Sequence, residues 1–313
     1  MHTKCSVSLL YAILFLIGNL VCQQCEAQYY FHDDKYYESD WMVEIGAGVG
    51  AMNCLTDLGG NAGVGKKFLK DINLVNTEKC NSFYAALFYK DVLGLRLETT
   101  LGNVKAYDSI LKPVAASTYG RYERNLSFRS SISEVALMGE FNPLPLFNFS
   151  DKNFPRWSPY FLAGVGSFSF NPQAYFQGRW IDLHPLRLEG QGFKEYPDRH
   201  EYSLNAICYP IGFGIKYEIG NFIVARIEGI YRITNTDYLD DVSQEKYVNP
   251  DLFSHYLSPA NAYLATQLYD RHKELNPNYV PTPGQIRGHP YNNDAYLSVN
   301  LKIGITLGRQ KIK

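Results

Sequence analysis

Beyond its first residues, this 313-residue chain has no long hydrophobic run. No later stretch approaches the roughly 20 consecutive apolar residues of a spanning helix, so helical membrane spans are excluded. Charge of one sign is also lacking. The 30 Lys and Arg stand against 31 Asp and Glu, for a formal net charge of −1. That leaves no general electrostatic case for a nucleic-acid partner. Cysteine is scarce, and three of the six (Cys5, Cys22, Cys25) fall in the N-terminal segment. His184, His200, His255, His272 and His289 are dispersed without metal-ligand spacing. There is no internal repeat and no low-complexity linker.

The N-terminus reads as a secretory signal. Lys4 supplies the positive start, Val7 to Val21 is mostly apolar, and Cys25-Glu26-Ala27 places small residues before a cut at Gln28. The apolar run is short for an anchor. Leu20-Val21-Cys22 is a poor lipoprotein signal because Val21 is not small. Cleavage would leave Cys54, Cys80 and Cys208. Cys54 and Cys80 share one connecting segment and can pair in an oxidising compartment; three free thiols are the alternative.

Aromatics are plentiful, with 25 Tyr and 18 Phe. From Ala295 to Leu307 the chain alternates strictly. Ala295, Leu297, Val299, Leu301, Ile303, Ile305 and Leu307 share one face; Tyr296, Ser298, Asn300, Lys302, Gly304 and Thr306 share the other. This run exceeds an ordinary soluble strand and the roughly 9–11 residues of a tilted spanning strand. The same pattern predicts strands over 41–49, 83–90, 93–101, 126–141, 159–170, 204–219 and 222–234. Asp91-Val92 and Gly220-Asn221 are two-residue turns, and Asn142 to Trp157 is an intermediate one. The other connections (50–82, 102–125, 171–203, 235–294) are long. Alternating short and long connections predict an all-β fold: an eight-stranded antiparallel transmembrane β-barrel with short periplasmic turns and long extracellular loops. Aromatic rings would mark its interfaces. Glycines such as Gly46, Gly48, Gly164, Gly166, Gly212 and Gly214 would relieve a crowded inner face.

The faces opposite the apolar ones carry Glu44, Arg96, Glu98, Glu134, Glu140, Lys216, Glu218, Arg226, Glu228, Arg232 and Lys302. An eight-stranded barrel has room inside for side chains only, and buried charges there must pair. Six acids against five bases suit a closed ion-pair network in the lumen. Conduction or catalysis is the minority reading.

Other motifs are weaker. Gly60 to Lys67 nearly matches a phosphate-binding loop, but Lys67 stands where Ser or Thr should hold magnesium. Gly46-Ala-Gly48-Val-Gly50 lacks the βαβ setting of a dinucleotide site. Asp198, His200 and Ser203 lie close in sequence and would form a rim hydrolase site only if they converged. Asp237, Tyr238, Asp240 and Asp241 sit where the seventh strand leaves the membrane. They lack calcium-loop spacing, so the preferred reading is an extracellular rim of carboxylates bound to the backbone or side chains of a protein partner. Asp108-Ser109-Ile110 resembles a short O-glycosylation signal. No cofactor or metal is expected.

Longer strings carry a family resemblance. Phe168-Ser-Phe-Asn-Pro172, Trp180-Ile-Asp-Leu-His-Pro-Leu186, Glu189-Gly-Gln-Gly192, Tyr209-Pro-Ile-Gly-Phe-Gly214 and Arg232-Ile-Thr-Asn-Thr-Asp-Tyr-Leu-Asp-Asp-Val-Ser243 are similar to those of the Bacteroidota outer-membrane barrels that include PorG of the type IX secretion system. Asn125-Leu-Ser-Phe128 followed by Glu134 also fits. The similarity runs through most of the mature chain and is densest over 158–243; Ser254 to Asn293 has little. The resemblance implies a non-enzymatic component in contact with outer-membrane lipids, with no catalytic residues to carry over. Its implied partners are a PorK-like lipoprotein and a PorN-like protein, which form a periplasmic ring. The expected organisation is a signal peptide over 1–27, a periplasmic segment over 28–40, the barrel over 41–308 and a periplasmic tail over 309–313.

Overall fold

The structure, a computed structural model, describes residues 36–61, 72–118, 120–147, 156–219, 222–244, 246–280, 287–289 and 292–311. The signal peptide, the Gly220-Asn221 turn and most of the Gly60 to Lys67 motif lie outside these residues.

Among the described residues nine strands are present: β1 (Tyr36–Leu55), β2 (Glu78–Tyr89), β3 (Leu93–Tyr107), β4 (Ser127–Phe141), β5 (Trp157–Phe176), β6 (Arg179–Asp182), β7 (Asn205–Glu218), β8 (Ile223–Thr234) and β9 (Ala295–Lys311). All pairings are antiparallel. The order β4-β3-β2-β1-β9-β8-β7-β5 is closed by β4 pairing with β5, which leaves no free edge in the eight-stranded barrel. Strand β6 stands outside the ring and pairs only with the upper end of β5.

All eight predicted strands exist. Strands β1, β3 and β5 each run six residues past the predicted extracellular end, to Leu55, Tyr107 and Phe176. Pairing also reaches below the predicted start, since Tyr36 to Glu38 pair with Lys311 to Arg309 across a bulge. The segment expected as periplasmic before Trp41 is therefore partly strand.

Side-chain direction follows the pleat. Leu301 and Ile303 are 61% and 64% exposed, whereas Lys302 between them is 2% exposed. Across the barrel, Trp41 to Val49, Leu93 to Leu101 and Val299 to Leu307 present apolar side chains outward over nine residues each. So much exposed aliphatic surface fits lipid, not water. Aromatic rings mark the short-turn end. Trp41 lies against Tyr89 with centroids 4.9 Å apart, and Phe161 lies 5.5 Å from Phe213.

Above the belt the polarity of the two faces reverses. Inward positions become Met52, Cys54, Val104, Ala106, Phe128, Phe168 and Phe170, which form one buried apolar cluster with loop residues Leu58, Leu126, Leu239 and Val242. Outward positions become Lys79, Asn81, Asn103, Ser131 and Ser133. The pleat continues through this inversion, which is why the strands outrun the apolar-out pattern.

Glycines thin the inner wall where large side chains cross it. A Cβ at Gly46 would meet the Tyr84 ring at 2.6 Å. At Gly164 a Cβ would overlap the Leu137 carbonyl oxygen and lie 2.7 Å from the Met138 Cα, so backbone would have to move. Gly164→Ala is expected to destabilise the barrel by about 1–3 kcal/mol, the usual cost of overpacking. The check is the fraction of compact, fast-migrating protein in unheated SDS gels after urea titration; wild-type behaviour would show that β4 and β5 are not so tightly apposed.

Candidate functional site: a filled lumen beneath a folded cap

The inward charges meet in two groups. In the lower lumen, the Arg226 guanidinium donates to Glu44 at 2.7 and 2.8 Å and to Glu140 at 2.7 Å. Arg96 donates to Glu228 at 2.8 Å and pairs with Glu140, while Glu98 lies at 3.4 Å. Lys302 bridges Glu98 and Glu228. Tyr160 donates its hydroxyl to Glu228 at 2.6 Å, and Tyr84 donates to Glu44. The rings also face the guanidiniums, with Arg226 4.9 Å from the Tyr160 centroid and Arg96 5.0 Å from that of Tyr84. In the upper lumen, Arg232 donates to Glu134 at 2.7 Å and to the Ser298 hydroxyl at 2.7 Å. Tyr296 donates to the same carboxylate.

The periplasmic end is closed by a residue that sequence reasoning missed. Asp91 takes the Lys216 ammonium at 2.6 and 2.8 Å. It sits in the β2–β3 turn at φ +54°, next to Lys90 at φ +52°, and 8% exposed. The paired positive φ values belong to the turns that suit hairpins. Such a residue breaks the alternation, so only turn geometry could have pointed it inward. Glu218 ends β7 half-buried at the same rim, on the inward face, 4.0 Å from Lys216.

Cys54 and Cys80 are not bonded; both are buried free thiols, as is Cys208. Strand register explains why. Cys80 pairs with Gly50, four residues before Cys54 on β1. At about 3.3 Å per residue that separates the two by roughly 13 Å, beyond the ~7 Å reach of a disulfide. The Cys54 thiol points to the Lys105 carbonyl at 3.5 Å and the Cys80 thiol to Asn300 at 3.3 Å.

The long connections are not simple loops. The third and fourth pack together through Ala174, Leu183, Leu188, Phe193, Val248, Phe253 and Leu268, with a helix over Pro259–Leu268. Asp108 ties the first two. It accepts from the Gly59 and Leu126 backbone N–H groups at 3.0 and 3.1 Å, and from Arg124 at 2.8 and 3.0 Å. The aspartate of the glycosylation-like tripeptide is thus fully buried, while Ser109 is exposed. Arg124 reaches on to the Asp57 carbonyl at 2.8 Å and to that of Arg287.

Two of the strings quoted for the family resemblance, Glu189 to Gly192 and Arg232 to Ser243, meet in this cap. Glu189 accepts the Ser243 and Gln244 N–H groups at 3.0–3.2 Å and pairs with Arg287. Asp241 accepts the Tyr202 hydroxyl at 2.6 Å, and Tyr202 stacks on Tyr238 at 4.3 Å. Asp240 accepts Leu58 N–H at 3.3 Å and Val242 N–H at 2.9 Å. Asp240 and Asp241 of the rim motif therefore hold the chain's own backbone and side chains, where a protein partner's were expected.

Four carboxyls crowd there: Asp57, Asp237, Asp240 and Asp294. Burial, then the charges of Asp57 and Asp240, pushes Asp237 up to about 9. Burial and the neighbouring carboxylates also hold Asp240 and Asp294 well above the usual range. Burial raises Asp241 to about 7, with Arg287 working against it. Among the described residues no cluster of His, Cys, Asp or Glu has the geometry of a metal site. Asp198, His200 and Ser203 are exposed and not joined by any hydrogen bond or ion pair among the described residues; the Ser203 hydroxyl instead accepts Asn205 N–H at 3.1 Å.

A closed barrel with a lipid-facing belt and its charges turned inward answers the constraints of one membrane. The chain is an eight-stranded outer-membrane β-barrel. It matches no protein-family model and no curated protein. Among solved structures it is similar to Ail, the attachment invasion locus protein of Yersinia pestis, at TM-score 0.36 and 9% identity over 86% of this chain and 100% of that one. It is also similar to Neisserial surface protein A, at 0.35 and 8% over 86% and 98%. The outer membrane protein OprG from Pseudomonas aeruginosa gives 0.35 and 9% over 88% and 99%. Likenesses so distant say nothing about ligand or partner.

Glu140 serves two guanidiniums, so Glu140→Gln leaves Arg96 and Arg226 short of a counter-charge. Breaking a buried pair on one side typically costs roughly 3–5 kcal/mol. Urea unfolding in lipid vesicles is expected to show a loss of that order, larger than for Glu218→Gln at the rim; equal effects would mean that the lumen charges are hydrated.

The cap has its own pH signature. Folded Asp237 keeps its proton up to about 9, whereas an unfolded Asp releases it near ~3.9. Between those values the folded cap binds more protons than the unfolded one, so stability falls as pH rises. This contribution is complete below the unfolded value and is lost on passing the folded one. Protease cleavage within 235–294 is expected to accelerate from pH 5 to pH 9, and Asp237→Asn to flatten that rise. A pH-independent rate in wild type would refute it.

Proposed function

We propose that this protein is a non-enzymatic outer-membrane anchor of the PorG kind, whose periplasmic rim attaches the ring of the type IX secretion system through PorK-like and PorN-like partners. The filled lumen carries this reading. Ion pairs from Lys216–Asp91 to Arg232–Glu134 run along the barrel, and the apolar cluster around Phe128, Phe168 and Leu239 lies above them. Inward charges paired with one another fill the space that eight strands enclose, which speaks against conduction. Asp198, His200 and Ser203, exposed and not hydrogen-bonded to one another among the described residues, speak against a rim hydrolase. What remains for function are the two rims and the lipid-facing wall.

The resemblance directs the ring to the periplasmic rim. The candidate surface comprises the mature N-terminal segment up to Asp40, the β4–β5 turn and the tail Arg309 to Lys313. In the turn, Leu146 and Phe147 are 61% and 62% exposed, and Trp157 at the start of β5 is 52% exposed. Asn142 anchors the turn by donating to the Asp91 carbonyl at 2.9 Å. An apolar tip on an anchored base suits a docking contact with a hydrophobic core and a polar rim.

The test is affinity recovery of tagged protein from gently solubilised outer membranes, with co-purifying proteins identified by mass spectrometry. The ring lipoprotein and its partner are expected, and Leu146→Glu with Phe147→Glu is expected to reduce them at least tenfold while the barrel still folds. Recovery of a different surface complex would keep the barrel and reject the type IX assignment.

A further inference from the structure

The outer wall of the barrel carries a concavity of about 800 Å³, lined by β2, β3, β4, β5 and β7 and by the segment after β6. That volume is in the range of small-ligand sites. A convex barrel has no concavity of its own; this one exists because the β5–β6 hairpin and the turn at His184–Leu186 overhang the wall. Asp182 fixes the overhang by accepting from the Asn171 and Gln173 side-chain amides at 2.9 and 2.6 Å. His184 is held against the Tyr202 carbonyl at 2.9 Å.

The floor is a cross-strand row. Asn81, Leu101, Ser133, Ser169 and Asn205 stand in register on five neighbouring strands, all facing outward. The row above it includes Asn103 and Ser131, paired through Asn103 with Ser131 and Ser131 with Asn171. The row below belongs to the lipid belt, with Phe83, Val135 and Ile207 at 57%, 50% and 42% exposure. The cavity therefore straddles the boundary between acyl chains and headgroups on the side of the long loops.

Its chemistry is specific. Amides and hydroxyls dominate, and each both donates and accepts. The side chains of Asn81, Asn103, Ser131, Ser133 and Asn205 have no hydrogen-bond partner among the described residues. Lys79 and Asp182 offset each other, so the lining has no cationic cluster of the kind that phosphate recognition uses. A neutral, polyhydroxylated group is the complement of such a lining. We infer that this cleft binds the sugar headgroup of an outer-leaflet glycolipid, whose acyl chains descend over Leu101, Val135 and Ile207. The inference rests on the outer-membrane placement with the long loops outside, and is independent of the ring.

The test uses full-length protein, purified in an amine-oxide detergent, and native mass spectrometry with three probes: dodecyl maltoside, dodecyl phosphocholine and free maltose. Dodecyl maltoside is expected to be retained at least tenfold over dodecyl phosphocholine, and maltose not at all. Ser133→Leu with Ser169→Leu fills the floor with lipid-compatible side chains and is expected to abolish the selectivity. Asn205→Leu alone serves if the double variant fails to give the compact form in unheated gels. Equal retention of the two detergents, or selectivity unchanged in the variants, would overturn the proposal. Maltose binding as tight as the maltoside would also overturn it, by assigning the cleft to a soluble glycan. Failure to recover the ring proteins leaves this selectivity as expected, so the two readings fail separately.

Discussion

A lumen too narrow for water governs this molecule. Eight strands leave room inside for side chains only, and the outer face must be apolar to meet lipid. The charges that the strands carry within the membrane belt are thereby driven inward, where an uncompensated ion is costly. The solution is a shared network in which Glu140 serves Arg96 and Arg226, Glu228 serves Arg96 and Lys302, and tyrosine hydroxyls take up remaining carboxylate valence. Sharing compensates the charges without using every polar atom: Arg96 Nε and Glu134 Oε1 are buried with no hydrogen-bond partner among the described residues. The glycines opposite Tyr84 and Tyr160 belong to the same constraint, since the rings that cap the guanidiniums need the space a Cβ would fill.

The same constraint divides the molecule by height. Within the membrane the interior is polar and the exterior apolar. Above it, Met52, Val104, Phe128 and Phe170 point inward and asparagines and serines point outward. Water replaces lipid outside, so the ordinary soluble arrangement returns on the same continuous strands. This second storey has a core and buried ion pairs of its own, and four carboxyls that burial and mutual repulsion shift upward in pKa. The boundary between the storeys is where the lateral cleft lies.

The eight barrel strands, their alternation and the inward set of charges were legible in the chain, because lipid imposes a two-residue period that needs no knowledge of partners. Glu218 lies on the inward face that the pattern implies, but only half-buried, because strand ends lie at the rim. Asp91 was missed because turns have no period. Cys54 and Cys80 looked pairable while they were assigned to one loop; their place on paired strands keeps them apart. The family strings around Glu189 and Asp237–Ser243 were visible as text, but not that one receives the backbone of the other.

The sequence by itself therefore determined the barrel, its strand count and which face each membrane residue takes, since these follow from local alternation against a fixed solvent. Only the tertiary structure decided which Arg meets which Glu, that the long connections interlock as a cap, and that an overhanging hairpin makes a cleft from an outward row on five strands. Those features depend on register between segments up to about 200 residues apart, such as Glu44 with Arg226 and Leu58 with Asp240. Register between distant segments is set by closure of the barrel as a whole, and no local pattern carries it.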